Sequence, residues 1–351
     1  MLSGRPILLA LSAASLTLFP GGGPQDLRFG PLEGSKASKS FQSDLVLQLD
    51  EVQVRVDDLA QPDAGPPTGI ALRLHYELEV EDGYVRCADG RPLEIERHFK
   101  AAAAFLETSG QRMESEALLD LEGQDVRLRW NADKGRLEAS AAAADEEEGL
   151  ERLLPLLGGD LDLLALLPTG EVSADGSWVV ESRDLGCVLL PSLEVDQLAL
   201  LSRERETGHI LELLGPHLRE VTRSLRVRCQ PGEVAGAGAA GRLPIALTVD
   251  GKSSIELSRS LERILGGSAA FQDADQDLAV ERGTLSLSLQ GEGRLVWDLA
   301  AGRARSLELH LDLELGLEAE MEISTLERTW TTGWSASAHG RGTWSMSAED
   351  L

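Results

Sequence analysis

The chain has 351 residues and sets 33 Lys and Arg against 59 Asp and Glu, a net charge of -26. A field of that sign repels phosphate backbones and anionic lipid surfaces, so nucleic acid is not an expected partner, whereas a basic protein is compatible with it. Three cysteines, Cys87, Cys187 and Cys229, are too few and too scattered for a disulfide scaffold or a CxxC metal site; one bridge and one free thiol remain open, with no pair indicated.

In chain order, Arg5 precedes the thirteen-residue apolar run ILLALSAASLTLF and the breaker Pro20-Gly21-Gly22-Gly23-Pro24. That order of charge, apolar run and breaker predicts a secretory signal peptide over residues 1–23 and an exported, periplasmic or extracellular protein. The run falls short of the roughly 20 apolar residues of a membrane span, so no transmembrane anchor is expected after processing. Residues 24–42 read as a flexible polar linker.

Residues 43–140 alternate apolar and polar side chains in LVLQLDEVQVRV, IALRLHYELEVEDGYVRC, PLEIERHF, the region around EALLDLEG, DVRLRW and RLEAS. Strand side chains alternate between faces, so this is an N-terminal half of antiparallel sheet. Residues 141–223 change character. Acids at 145–148 lead into a leucine-rich stretch, Leu150 to Leu167, broken by Pro155 and Gly158-Gly159, which predicts short helices. The segment PTGEVSADGSWVVES reads as a loop and hairpin, and residues 203–221 as a second helix kinked at Gly215-Pro216.

Residues 224–351 return to strands: SLRVRC, a hairpin hinged at Asp250-Gly251, a long leucine-rich alternation and a Trp-rich end carrying Trp330, Trp334 and Trp344. The longest run, SLELHLDLELGLEAEMEI from Ser306 to Ile323, places Leu307, Leu309, Leu311, Leu313, Leu315 and Leu317 on one face. Glu308, Asp312, Glu314, Glu318, Glu320 and Glu322 lie on the other. Eighteen residues exceed an ordinary strand, so Gly316 is the expected bend or bulge. Arg294, Arg303 and Arg305 are the expected partners of the acids.

No constellation carries recognisable chemistry. GAGAAG at 236–241 is followed by strand-like residues where a dinucleotide site needs a helix. Asp273-Ala274-Asp275-Gln276-Asp277 places Leu278 and Thr284 where a calcium loop needs Gly and Glu. His209, Glu212 and His217 lack a metal spacing. No serine lies in a GxSxG elbow. The chain therefore reads as a non-enzyme, with no catalytic, cofactor-binding or metal-binding residue and no cofactor indicated. A hydrolase built on His75, His98 and His310 is kept as a minor alternative.

Two stretches share a pattern: Trp130-Asn131 to Gly135-Arg136 and Trp297-Asp298 to Gly302-Arg303. They raise the prospect of two pseudo-repeated halves. With the export signal and the leucine-rich insert, these hairpins resemble those of periplasmic lipoprotein-localisation carriers, and the whole is similar to exported bacterial β-rich proteins of unknown function. The carrier resemblance implies an antiparallel half-barrel closed by helices over an apolar cavity. The expected fold is thus α+β, mainly antiparallel, a curved sheet or half-barrel with a short helical insert. The expected function is binding or envelope structure. Its main alternative is carriage of a lipid or other hydrophobic ligand lined by Leu153, Leu154, Leu157, Leu163, Leu164, Leu167, Leu309, Leu311 and Leu313.

Overall fold

The computed structural model describes residues 27–61, 69–108, 111–142, 148–157, 161–169, 172–181, 217, 220, 224–235, 241–266, 276–325 and 328–351. The segments expected to form the signal peptide and, apart from residues 217 and 220, the kinked helix lie outside these residues, as do Cys187, His209, Glu212 and most of GAGAAG.

The alternation produces one antiparallel sheet of thirteen strands. They are β1 (Lys36–Val56), β2 (Leu59–Ala60), β3 (Ala71–Ala88), β4 (Arg91–Thr108), β5 (Gln111–Glu114), β6 (Asp125–Asn131), β7 (Arg136–Ala141), β8 (Trp178–Glu181), β9 (Leu225–Pro231), β10 (Arg242–Glu256), β11 (Gln276–Asp298), β12 (Arg303–Thr325) and β13 (Thr329–Asp350). The helices whose bounds lie within the described residues are α1 (Glu116–Leu119), α2 (Glu148–Leu153) and α3 (Ser258–Gly266). Among the described residues, no helix is long and apolar enough to cross a membrane.

The main path runs β7-β6-β4-β3-β1-β13-β12-β11-β10-β9-β8, with β2 added to β1 and β5 to β4. The first meander proceeds from centre to edge and the second from edge to centre; β1 joins β13 over nearly its whole length, from Ala37↔Asp350 to Val56↔Thr332. Both β halves therefore belong to one open, curved sheet.

The leucine-rich connection between β7 and β8 bridges the two edges. The 3-10 turn Leu154–Leu156 packs on β7. At the other edge, the Trp178 indole of β8 donates to the Leu166 carbonyl at 3.0 Å. Leu150, Leu153, Leu157, Leu161, Leu163 and Leu166 are buried against Phe41, Leu78, Phe99, Leu128 and Trp297 in one core. Each such leucine removed from water contributes about 1.5–3 kcal/mol, enough together to hold a segment with little regular structure of its own.

Several expectations change. β1 begins at Lys36, and Leu27 and Phe29 are buried, so the linker ends well before residue 42. EALLDLEG is not a strand; its first residues form the single turn α1. In PTGEVSADGSWVVES a tight turn closes between Ser173 and Ser177, and the strand that follows, β8, pairs with β9. β10 runs straight through Asp250-Gly251. Gly251 serves close approach there: a Cβ would stand 2.6 Å from Leu225 Cδ2, whose side chain lies over the strand.

Nor does the long strand bend at Gly316. β12 keeps register with both neighbours through that residue, and the irregularities against β11 fall between Val280 and Arg282 and between Val296 and Trp297. Strand length is sustained because four flanking strands, β1, β3, β11 and β13, are comparably long and pair along it or alongside one another.

The two look-alike hairpins share one turn. The Asn131 side-chain oxygen accepts from Asp133 N and Lys134 N at 3.0 and 3.1 Å, and Asp298 Oδ1 accepts from Ala300 N and Ala301 N at 3.0 and 2.9 Å. Gly135 and Gly302 follow with φ of 65° and 61°. Local turn chemistry accounts for the resemblance: β6–β7 lies at the sheet edge, β11–β12 near its middle.

Candidate binding face

Opposed residues in an antiparallel pair share a face, so register extends the apolar row of β12 across the sheet. Leu309 lies opposite Trp344 and Leu313 opposite Gly340 on β13; beyond, Leu45 and Leu47 of β1 lie opposite Leu74 and Leu72 of β3. The other face is polar, with Glu308, Asp312, Glu314, Glu318, Glu320 and Glu322 exposed. Its ion pairs differ from expectation: Asp312 pairs with Arg341 of β13 at 3.1 Å and Glu318 with Arg282 of β11 at 3.3 Å. Arg303 and Arg305 instead pair with Asp350, because strand register places them beyond the acidic row.

The apolar face divides into three zones. Near the insert, Leu307, Leu309 and Leu311 are at most 3% exposed. At the far end Ala319, Met321, Ile323, Val54 and Val280 form a second buried group, on the side where α3 packs over β11. Between them lies a belt from Leu106 of β4 to Leu285 of β11, in which Leu45, Leu47, Leu313, Leu315 and Leu317 are half-buried. Leu74 of the belt is 39% exposed, and Trp334, opposite Ala319 and Val54 at the far end, 43%. The belt crosses β4, β3, β1, β13, β12 and β11, about 24 Å at ordinary strand spacing.

The expected ligand-lining leucines fall mostly elsewhere. Leu153, Leu157, Leu163, Leu167, Leu309 and Leu311 are core residues packed on one another, with Leu154 and Leu164 partly buried against them. Protein side chains fill the space between insert and sheet there. Leu313 alone stands at the edge of the belt.

What fastens the insert is a buried set of charges. Lys39 Nζ lies 2.7 Å from Asp162 Oδ1 and 2.8 Å from Asp82 Oδ2. Arg97 donates to both Asp82 oxygens at 2.7 and 2.9 Å, and the Tyr84 hydroxyl donates to Asp162 at 2.6 Å. Two cations meet two carboxylates, and all are almost completely buried. Burial opposes ionisation of Asp82, yet Arg97 and Lys39 overcome it and hold its carboxyl far below the ordinary range. Burial likewise opposes the charge on Lys39, but Asp162 and Asp82 hold its ammonium protonated well above the usual lysine range. The signal was legible: Lys39, Asp82 and Arg97 occupy apolar-face positions in line with Phe41, Val80 and Phe99.

His75, His98 and His310 are not brought together. His75 on β3 stacks on Phe105 at 4.7 Å with Nδ1 3.1 Å from Asp44. His98 on β4 meets Asp125 at 2.9 Å, and His310 lies on β12 opposite Thr343. Among the described residues no three His, Cys, Asp or Glu side chains gather as a metal site. Cys87 and Cys229 are free thiols, so they form no bridge with each other. Trp344 is buried, in line with a packing role, whereas Trp334 is exposed. A half-open cleft of about 560 Å³ beside β9 and β10 is lined by Glu181, Ser224, Arg226, Asp250, Lys252 and Gln290.

No protein-family model matches the chain. A stretch of 115 residues is 34% identical to an enolase of Corynebacterium kroppenstedtii, covering 31% of this chain and 27% of that protein. Among solved structures, one of lipovitellin, described as showing lipid–protein interactions, overlays 90% of this chain and 25% of its own at 10% identity and a TM-score of 0.34. A Rh. blastica porin mutant covers 88% of this chain and 99% of its own at 8% identity and 0.17. An outer-membrane channel of Pseudomonas putida F1 covers 92% and 100% at 7% and 0.14. The chain thus spans about a quarter of the enolase and of the lipovitellin chain, and overlays this loose assign no family.

Proposed function

We propose that this chain is an exported, non-enzymatic binding protein that holds a hydrophobic ligand on the leucine belt of its apolar face. One observation carries the reading: along a single strand row, Leu307 to Leu311 are buried by the protein's own insert while Leu313, Leu315 and Leu317 stay half-buried. A contiguous apolar surface of this kind favours association with apolar matter. The N-terminal charge, apolar run and breaker support export.

Native mass spectrometry of the protein purified from its host envelope, with organic extraction of the same sample, tests the reading. A co-purifying hydrophobic molecule is expected with the wild type and lost in Leu315→Asp. Absence of any such molecule, together with failure of a long-chain alcohol to bind the delipidated protein, would overturn it.

A further inference from the structure

The described positions of the belt carry no charged side chain. On its register the described residues place Leu45, Leu47, Leu74, Leu315, Leu317 and Ala338, with no basic side chain among the belt positions of β1, β3, β4, β11, β12 and β13. Behind it, one strand thick, Glu314 alternates with Leu313 and Leu315 on β12, between Asp312 and Glu318, which are paired with Arg341 and Arg282. An anionic headgroup drawn onto this surface would lose its hydration, find no cation among these positions and approach a chain of net charge -26. A cationic headgroup would also lose hydration and meets no carboxylate on the apolar register. An uncharged headgroup incurs neither penalty.

Resting on the binding reading above, we infer that the belt takes uncharged long-chain lipids and discriminates against fatty-acid anions. The contrast is between functional groups on one hydrocarbon chain, so chain length and apolar area drop out of the comparison.

The test is displacement of Nile red from the full-length, delipidated protein at pH 8 by hexadecanol, hexadecanoate and hexadecyltrimethylammonium, each below its aggregation concentration. Hexadecanol is expected to bind best, with hexadecanoate about tenfold weaker or more. Leu315→Asp is expected to abolish displacement, while Leu351→Asp, at an exposed position off the belt, leaves it intact. Equal or tighter binding of hexadecanoate, or tightest binding of the quaternary ammonium, overturns the charge selection while leaving the binding reading standing. If none of the three displaces the dye, the binding reading fails and takes this inference with it.

Discussion

Lys39 and Asp162 are 123 positions apart in the chain, yet their side chains meet at 2.7 Å with both almost wholly buried. The contact ties the first strand to the insert that bridges the sheet edges. Removing one member leaves buried charge without its counterpart. Lys39→Ala is therefore expected to cost about 3–5 kcal/mol, read as a fall in denaturant midpoint with unchanged slope. A smaller loss is expected for Asp162→Asn, which retains a side-chain acceptor for Tyr84 and leaves Lys39 paired with Asp82.

The same set fixes how stability responds to pH. Asp82 is held below its unfolded value by Arg97 and Lys39 despite burial, so its contribution is complete above about pH 4 and declines as pH falls from there toward its depressed folded value. Lys39 is displaced upward, so its contribution is complete below about pH 10 and declines as pH rises beyond. Urea midpoints measured from pH 3 to pH 11 are expected to show a plateau with losses at both ends. Persistence of the alkaline loss at full size in Lys39→Met would remove Lys39 as its source.

Zone membership on the apolar face predicts separable mutational effects. Leu309→Ala, in the packed zone, is expected to cost about 2–5 kcal/mol. Leu315→Ala, in the belt, is expected to cost about 1 kcal/mol or less while weakening uptake of a hydrophobic probe. Thermal melts and probe titration on the same two variants check both halves of the contrast.

Glycines in the strands test how neighbouring side chains lie across the sheet. A Cβ on Gly293 would stand 2.5 Å from the Glu308 carbonyl oxygen, whereas on Gly251 the nearest atom is the flexible Leu225 Cδ2 at 2.6 Å. Gly293→Ala should destabilise by about 3 kcal/mol and Gly251→Ala by about 1. Gly333→Ala, whose nearest neighbour is 3.9 Å away, should be neutral or slightly stabilising. Equilibrium unfolding of the three variants gives the order.

Thiol reactivity reports on the buried charges. Burial pushes Cys229 up to about 12, and burial followed by the Asp162 and Glu33 carboxylates pushes Cys87 up to about 11. In a Cys187→Ser background, alkylation by iodoacetamide at pH 8 is expected to be slow at both positions. Asp162→Asn should speed modification of Cys87 and leave Cys229 unchanged, as followed by peptide mass spectrometry.

By itself the sequence determined what is periodic. Alternation from Ser306 to Ile323 defined an apolar and an acidic face, and the Trp-[Asn/Asp]…Gly-Arg spacing defined two turns, because both depend only on backbone geometry a few residues long. Tertiary structure alone decided the rest. Gly316 lies unbent in β12 because long neighbours hold it in register, and Gly251 makes room for Leu225 in place of a hairpin. The leucine row is identical in pattern from Leu307 to Leu317, yet only its first part is buried, since coverage depends on where a segment more than a hundred positions earlier comes to rest. That placement depends on Lys39, Asp82, Arg97 and Asp162, residues whose joint role exists only once three strands and the insert have been brought together.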